Sequence, residues 1–472
     1  MTELVGAFVV IIGLLGLFAL DRIRGARRSG ALWIPVVWLF IAGSRPLSFW
    51  LFPGMGDTTD RYLEGSPFDR NVLTVLIAAA LVVLIARGRR VGTLLRANGP
   101  ILLFLFYCGL SILWSDYPEV AFKRWIRVVG DIAMVLVVLT DPSPSAAVKG
   151  LLARTGFVII PASILFDLGR WTIRREYHVG LTTNKNMYGQ IGMILGLGAV
   201  WRFLSIFQGG ERKGHARRLV VHGSIVALAL WCLWTANSVT SIACFLLGSA
   251  LIAITRRWGF ARKPAFVHLV VASLVFVALY ATILNPNVGI ASAMGKDPTL
   301  TGRTDVWQAV IEMAPNPWFG AGFESFWLGS RLTKLRDMFV WQPNEAHNGY
   351  IEVYLNLGWI GLSLLAVVLV SGYRRVVRGV RQDTDTGRLM LAYFVVAIIY
   401  NLTEAGFRMF SPVWIAFLLS IAAVFKSQPE SAMSQLATTV SRTSPMPGLN
   451  RRDAYSAVGE GDIKRRLYAC NK

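Results

Sequence analysis

The sequence predicts an all-α protein: a polytopic bundle of about 12–13 transmembrane helices with one long, partly helical loop on the non-cytoplasmic face. Three observations carry this. Of 472 residues 54% are hydrophobic and only 16% charged, less charge than a soluble chain of this size would hold. The apolar residues come in blocks of roughly 16–22, the length that crosses a bilayer as helix; examples are 4–20, 72–86, 220–236 and 267–284. Arg and Lys cluster in short loops between the blocks. Long unbroken apolar runs also exclude a β-barrel, whose strands are short and alternating.

The first block, 4–20, does not read as a signal peptide. It lacks a basic leader, and Ala19-Leu20-Asp21 is a poor cleavage site. Basic loops at 21–30, 87–96, 202–218, 256–263 and 374–388 read as cytoplasmic, and 141–154 joins them by alternation. Segments 53–70, 115–124, 170–186, 237–240, 285–348 and 401–411 then lie outside; the first carries Asp57, Asp60, Glu64 and Asp69. This alternation puts the N-terminus outside and the C-terminus inside. The region 389–424 reads as two spans or as one re-entrant hairpin. Residues 426–472, rich in Ser, Thr, Pro and charge, read as a disordered cytoplasmic tail behind a membrane domain at 1–425. The net charge of +21 is accounted for by the inside loops, so nucleic acid is excluded as a partner. Cys108, Cys232, Cys244 and Cys470 have no metal-ligand spacing.

Outside loops should be poor in Arg and Lys, yet several are not. Lys123, Arg124 and Arg127 follow Ser-Asp-Tyr-Pro-Glu; Arg170, Arg174, Arg175 and Lys185 lie in the next such loop; Lys296, Arg303, Arg331, Lys334 and Arg336 lie in the longest. Cations kept against the topological bias suggest an anionic partner such as phosphate. The plainer reading of Arg124 and Arg127 is snorkelling at a helix end.

In the long loop, Thr-Gly-Arg-Thr-Asp-Val-Trp-Gln at 301–308 reads as a helix start. Thr304 or Asp305 caps it, Gln308 completes a capping box, and Val306, Ala309, Val310 and Met313 form its apolar face. Arg303 then stands where free backbone N–H groups favour an anion, unless Asp305 or Asp297 pairs with it. Asn-Pro-Trp-Phe-Gly-Ala-Gly at 316–322 makes a tight turn. Asn344 reads as the N-cap of the next span, on which His347, Tyr350, Ile351 and Tyr354 share a face and Asn348, Glu352 and Asn356 form a polar stripe facing protein or a water-filled cavity. His347, at the mouth of that cavity, is the best general-base candidate; its plainer reading is structural. Asn401, Glu404 and Arg408 form one more outside cluster, in which Glu404 and Arg408 are spaced to pair.

These motifs, in this order and within one long outside loop, resemble the O-antigen ligase and polymerase superfamily. Trp114-Ser115-Asp116-Tyr117-Pro118 with Lys123-Arg124 and the late Glu404 add to the likeness. Thr183-Asn184-Lys185-Asn186 with Gly189 resembles its exopolysaccharide polymerase branch of succinoglycan type. The resemblance covers roughly 70–425. It implies metal-independent glycosyl transfer, with no cofactor, at the periplasmic face of a bacterial inner membrane. The donor would be an oligosaccharide on undecaprenyl diphosphate. Carried over by motif, Arg303 would bind the diphosphate and His347 would activate the acceptor hydroxyl. Arg124, Lys185, Asn348, Glu352, Glu404 and Arg408 complete the expected substrate contacts. Further partners would be a flippase and chain-length-regulating or export proteins. A ligase acting on lipid A core, or a protein O-glycosylation enzyme, would share the donor and mechanism. A transporter or flippase would instead use buried acids, for which Asp131 and Asp167 are the candidates.

Overall fold

The computed structural model describes residues 16–17, 29–52, 65–170, 178–207, 214–257, 263–280, 303–382 and 385–422. Most of the first apolar block, the acids Asp57, Asp60 and Glu64, the first part of the long loop with Lys296 and Asp297, and the tail lie outside them. The described residues form helices and turns, with no strand among them, as the apolar blocks require. The helices are α1 (Trp33–Ala42), α2 (Pro67–Ala86), α3 (Gly88–Ala97), α4 (Gly99–Leu110), α5 (Pro118–Leu139), α6 (Pro144–Arg170), α7 (Lys185–Ile206), α8 (His215–Ala236), α9 (Val239–Arg257), α10 (Pro264–Leu279), α11 (Arg303–Glu312), α12 (Gly329–Met338), α13 (Gly349–Arg381), α14 (Asp385–Tyr400) and α15 (Pro412–Ala422).

Among the described residues six helices are long and apolar enough to cross a bilayer, or seven if Gly88–Ala97 and Gly99–Trp114, bent by 85°, form one broken span. That is fewer than the 12–13 expected. Three more apolar helices are short, and α5 carries Glu119, Lys123, Arg124, Arg127 and Asp131, so it fails on charge rather than length. The bundle centre is α7, α14 and α15, apolar on almost every face and buried along most of their length. That pattern belongs to a helix surrounded by other helices.

Hydrogen bonds sort the connecting segments into two sets. At one end Arg45 donates to the Thr182 carbonyl, Ser48 to Asp69, Asn186 to Glu404, and Arg331 to Asp116. At the other, Arg87 pairs with Asp141, Arg375 donates to Asn98, and Lys149 and Arg256 converge on Asp385. The contacts Asn186–Glu404 and Arg331–Asp116 at one end, and Arg87–Asp141 and those to Asp385 at the other, each join segments that loop charge assigns to the same face. Asp385 is thus held by cations of its own chain. Asp131 accepts from the Trp38 indole at 2.8 Å and the Phe410 amide at 2.9 Å, and Asp167 from the Gly180 amide at 2.9 Å.

The long loop has a small core of its own. Val306, Ala309 and Val310 of α11 pack with Ala321, Phe326 and Trp327, with Leu332 and Leu335 of α12, and with Ala346 and Leu355. The apolar face expected of 306–313 therefore holds. The capping box does not: α11 already begins at Arg303, and Gln308 donates to Glu312 one turn on.

Helix α13 has 33 residues, about 50 Å of helix against a hydrocarbon layer of about 30 Å. It breaks at Gly358, where φ is 64° and ψ is −165°. The break frees the Trp359 and Ile360 amides, which donate to the carbonyls of Pro317 and Trp318 at 2.8 and 3.2 Å. The turn 316–320 thus wedges into the kink. A Cβ on Gly358 would lie 2.2 Å from the Trp318 carbonyl, so glycine is required twice over, for conformation and for space.

Candidate functional site

The polar groups of the long loop close on a single carboxylate. Glu404, whose side chain is 5% exposed, follows α14 in a turn organised by the buried Asn401. The Asn401 amide accepts from the Gly406 and Phe407 N–H groups and donates to the Ala397 carbonyl. Glu404 Oε1 accepts from Arg303 Nη2 at 3.1 Å; its Oε2 accepts from Asn186 Nδ2 at 3.0 Å and lies 3.1 Å from His347 Nδ1. Arg303 also donates to the Thr403 carbonyl. Arg303 and His347, 44 residues apart in sequence, therefore share one partner at one end of the bundle.

His347 is not on the helix face expected of it. It precedes α13 in a left-handed conformation, φ 48°, which costs about 1–2 kcal/mol for a residue with a Cβ. Its neighbours impose that shape. The Ala346 amide donates to Glu352 at 2.6 Å, the Ala346 carbonyl accepts from the Trp307 indole at 2.6 Å, and the Trp341 ring lies 5.9 Å from the imidazole. The N-cap is Asn348 rather than Asn344: its side chain accepts from the Tyr350 and Ile351 amides and donates to the Leu402 carbonyl. Gly349 N–H, donating to the Asn401 and Glu404 carbonyls, fixes the helix start against the turn that carries Glu404.

His347 Nδ1 lies 3.1 Å from Glu345 Oε1 as well. Burial works against the imidazolium, but the hydrogen bond to Glu404 and the charges of Glu345 and Glu404 outweigh it, and the pKa is raised above 6.5. For Glu404, burial works against the carboxylate, but His347 and Arg303 prevail and its pKa is lowered. Both Nδ1 contacts leave Nε2 as the nitrogen for an outside reactant.

A second layer of charge surrounds this cluster. Arg408 does not pair with Glu404, as their spacing suggested, but with Glu345 at 2.7 Å and Glu324 at 3.7 Å. Arg124 donates to the Glu324 backbone carbonyl. Arg127, one turn further along α5, lies within electrostatic reach of Asp69, Glu324 and Asp131. Glu324 also has a positive φ, 51°. Arg303 pairs with Glu404 rather than with its expected neighbour Asp305; Asp297, the other expected partner, lies outside the described residues.

Two expected substrate contacts, Glu352 and Asn348, are used internally. Glu352 accepts from the Trp327 indole at 2.9 and 3.0 Å and from Ala346 N–H. Asn356 accepts from the Ser325 and Phe326 amides. The polar stripe of α13 therefore faces protein and clamps 325–327 to the helix. Asn348 is the cap. Lys185 opens α7, and it is the next residue, Asn186, that reaches Glu404. Glu345 and Glu324 were not singled out by the sequence. Their only signal is adjacency, two residues before His347 and two after Gly322.

The ligand atoms of Glu345, His347 and Glu404 lie within 4.8 Å of one another, a spacing that can hold a metal ion. Arg303 and Arg408 already occupy two of these carboxylates, and a dication there would have to displace or face them.

Residues 224–366 match the O-antigen ligase family. The likeness read from the ordered motifs is thereby borne out. The chain is also 29% identical to the exopolysaccharide production protein ExoQ of Rhizobium meliloti (strain 1021), over 63% of this chain and 69% of that protein. It is 24% identical to a Rickettsia bellii (strain RML369-C) protein described as a polysaccharide ligase, over 41% of this chain and 50% of the other. The O-antigen ligase match contains Arg303, Glu324, Glu345 and His347. Arg124, Asn186, Glu404 and Arg408, which complete the cluster, fall on either side of it.

Proposed function

We propose that this protein transfers a glycan from a lipid diphosphate donor to a hydroxyl acceptor at the periplasmic face of a bacterial inner membrane, extending an exopolysaccharide or O-antigen from undecaprenyl-diphosphate-linked repeat units. The observation that carries this is Glu404, shared by a histidine and an arginine. A carboxylate on Nδ1 fixes the tautomer and aims Nε2, the arrangement of a general base. The same carboxylate holds the fork of Arg303. A guanidinium has five N–H donors; two are accounted for by Thr403 and Glu404, leaving three for phosphate oxygens.

In this reading His347 Nε2 takes the acceptor hydroxyl proton as its oxygen bonds the anomeric carbon. The anomeric C–O bond to the diphosphate breaks, and the leaving charge falls on Arg303, with Arg408 and Arg124 behind it. The diphosphate is a good leaving group, so the protein's work is orientation, charge stabilisation and one proton removal. No metal enters this scheme. Lys185 and Asn186 flank the donor, and Asn348 and Glu352 act by positioning.

Polymerase is preferred to ligase because the similarity to ExoQ covers more of this chain than that to the ligase. The transporter reading loses its motive, since Asp131 and Asp167 are engaged by their own chain. A deletion strain complemented with His347→Ala or Arg303→Ala tests the site: the variants should insert yet form no long polymer. Normal polymer from both would overturn it. Single repeat units accumulating in the deletion strain support polymerase, and finished polymer retained on its lipid carrier supports ligase. For orientation, a cysteine at Lys334 should react with an impermeant reagent in intact cells and one at Arg378 should not.

A further inference from the structure

Next to the charged cluster, and separate from it, is an open groove of about 340 Å³ lined by Trp114, Asp116, Pro315, Asn316, Phe319, Gly320 and Ala321. Its size falls in the range of small-molecule sites. The cavity beside Arg408 and Glu324, about 30 Å³, holds little more than a water. A sugar ring therefore has room in the groove and none in the inner cavity.

The groove is rigidly built. Its floor is the turn 316–320, anchored in the kink of α13 through Pro317 and Trp318. Its wall is Trp114, whose indole N–H donates to the Phe319 carbonyl at 3.2 Å and whose ring stands 5.6 Å from that of Phe319. Gly320, with φ 69°, brings this backbone against Asn356 and Leu357, where a Cβ would clash at 2.4 Å. The polar groups converge. Asp116 holds Arg331 through Oδ2 at 2.7 Å and is well exposed, so Oδ1 can accept. Asn316 spends its carbonyl on the Trp318 and Phe319 amides, so its NH₂ can donate. Two aromatic rings offer flat apolar area to the C–H face of a pyranose, while a carboxylate and an amide suit its hydroxyls. The same turn segment continues from Gly320 and Ala321 to Glu324, which Arg124 and Arg408 hold.

We infer that this groove is a glycan subsite, binding a neutral pyranose of the repeat unit beside the reacting sugar and lining up the chain for transfer. The inference rests on the glycosyl-transfer reading but is testable apart from it, because binding needs neither His347 nor lipid. The probe is the lipid-free repeat-unit oligosaccharide, released by hydrolysis of the native strain's polymer. Saturation-transfer NMR and a binding titration are run on full-length protein in lipid nanodiscs. Wild type and His347→Ala should bind alike, and Phe319→Leu at least about tenfold more weakly. In turnover, Phe319→Leu should raise KM for the acceptor and shorten the polymer with kcat little changed. Equal binding by wild type and Phe319→Leu, no binding by wild type at 10 mM, or displacement of the sugar signal by phospholipid would each overturn the inference. Retained binding with a fully active His347→Ala variant would instead refute the catalytic reading and leave the subsite standing.

Discussion

Replacing Glu404 by glutamine probes the centre of the site with almost no change in volume. Glu404 has three donors: the Arg303 guanidinium at 3.1 Å, the His347 imidazole, charged only when protonated, at 3.1 Å, and the Asn186 amide at 3.0 Å. Glutamine keeps one acceptor oxygen and turns an NH₂ group on donors. Removing one member of a buried charge pair costs about 3–5 kcal/mol when nothing compensates. Here compensation exists: Glu345 stays 3.1 Å from Nδ1, and the Thr403 carbonyl stays on Arg303. A loss of about 1.5–3 kcal/mol, one charge-assisted hydrogen bond, is therefore expected in stability. Turnover should fall much further. Losing the carboxylate that orients a catalytic histidine costs up to about 10⁴-fold, and a spare acceptor reduces that toward about 10². The assay is polymer formation from lipid-linked repeat units in nanodiscs, normalised to folded protein, across pH. Glu404 is among the groups raising the His347 pKa, so the acidic limb of kcat/KM should also move to lower pH in Glu404→Gln. Wild-type turnover with an unmoved limb would refute the role. Lowered stability with normal turnover per folded molecule would reduce Glu404 to a structural residue.

Because the His347 pKa is raised, the wild-type limb should lie above pH 6.5, and Glu345→Gln should lower it while the Glu404 contact remains; a limb that stays put removes Glu345 from the base's environment. The same shifts govern stability. Stability from Glu404 is present above its unfolded value and lost as pH falls through its lowered folded pKa, while that from His347 is present below 6.5 and lost as pH rises through its raised one. The melting temperature in detergent should therefore be highest between about pH 4.5 and 6.5, and the Glu404→Gln variant should lose that maximum. Gly358→Ala forces a Cβ to within 2.2 Å of Trp318 backbone atoms, so protease protection of 316–320 should fall and the protein should melt lower by several degrees. Chelators should leave turnover unchanged; inactivation reversed by one divalent ion would place a metal on Glu345, His347 and Glu404.

How much of this could be read in advance depended on what each residue violates. Arg303 and Arg124 were visible because cations on an outside loop break a strong bias, and His347 because an imidazole at the end of a span has few structural reasons to be there. Glu345 and Glu324 break no rule, since acids outside are ordinary, so two of the three counter-charges went unseen. The helix start was misplaced by four residues because Asn344 and Asn348 are equally good caps. The choice is made by Gly349 N–H bonding to the 401–404 turn, a contact 52 residues away that no local pattern contains. The kink in α13 was likewise hidden: a glycine in an apolar run announces nothing, and only Pro317 and Trp318, bonding the freed amides, make the break affordable. The apolar blocks gave the bundle, but α5 shows why counting spans is harder. Its first half carries Glu119, Lys123, Arg124 and Arg127, and a helix charged at one end fails a test of uniform apolarity whatever its length.

The cluster is nearly charge-balanced, and that constrains how it can hold a diphosphate. Glu404, Glu345 and Glu324 face Arg303, Arg408 and Arg124, with His347 as the titrating remainder. With almost no net charge of its own, the cluster cannot capture the donor by attraction alone; recognition has to come from directed donors. Arg303 is suited to this because its planar fork bonds Thr403 and Glu404 and still presents N–H groups in fixed directions. A lysine at 303 keeps the charge but has three donors on a single nitrogen. Bonded to Glu404 and Thr403, it retains one. Arg303→Lys should therefore behave almost like Arg303→Ala, with polymer formation down at least about 10²-fold, whereas a pure charge effect would be largely rescued by lysine. Activity within about threefold of wild type in Arg303→Lys would mean that charge suffices and that the fork geometry around Glu404 plays no part in holding the donor.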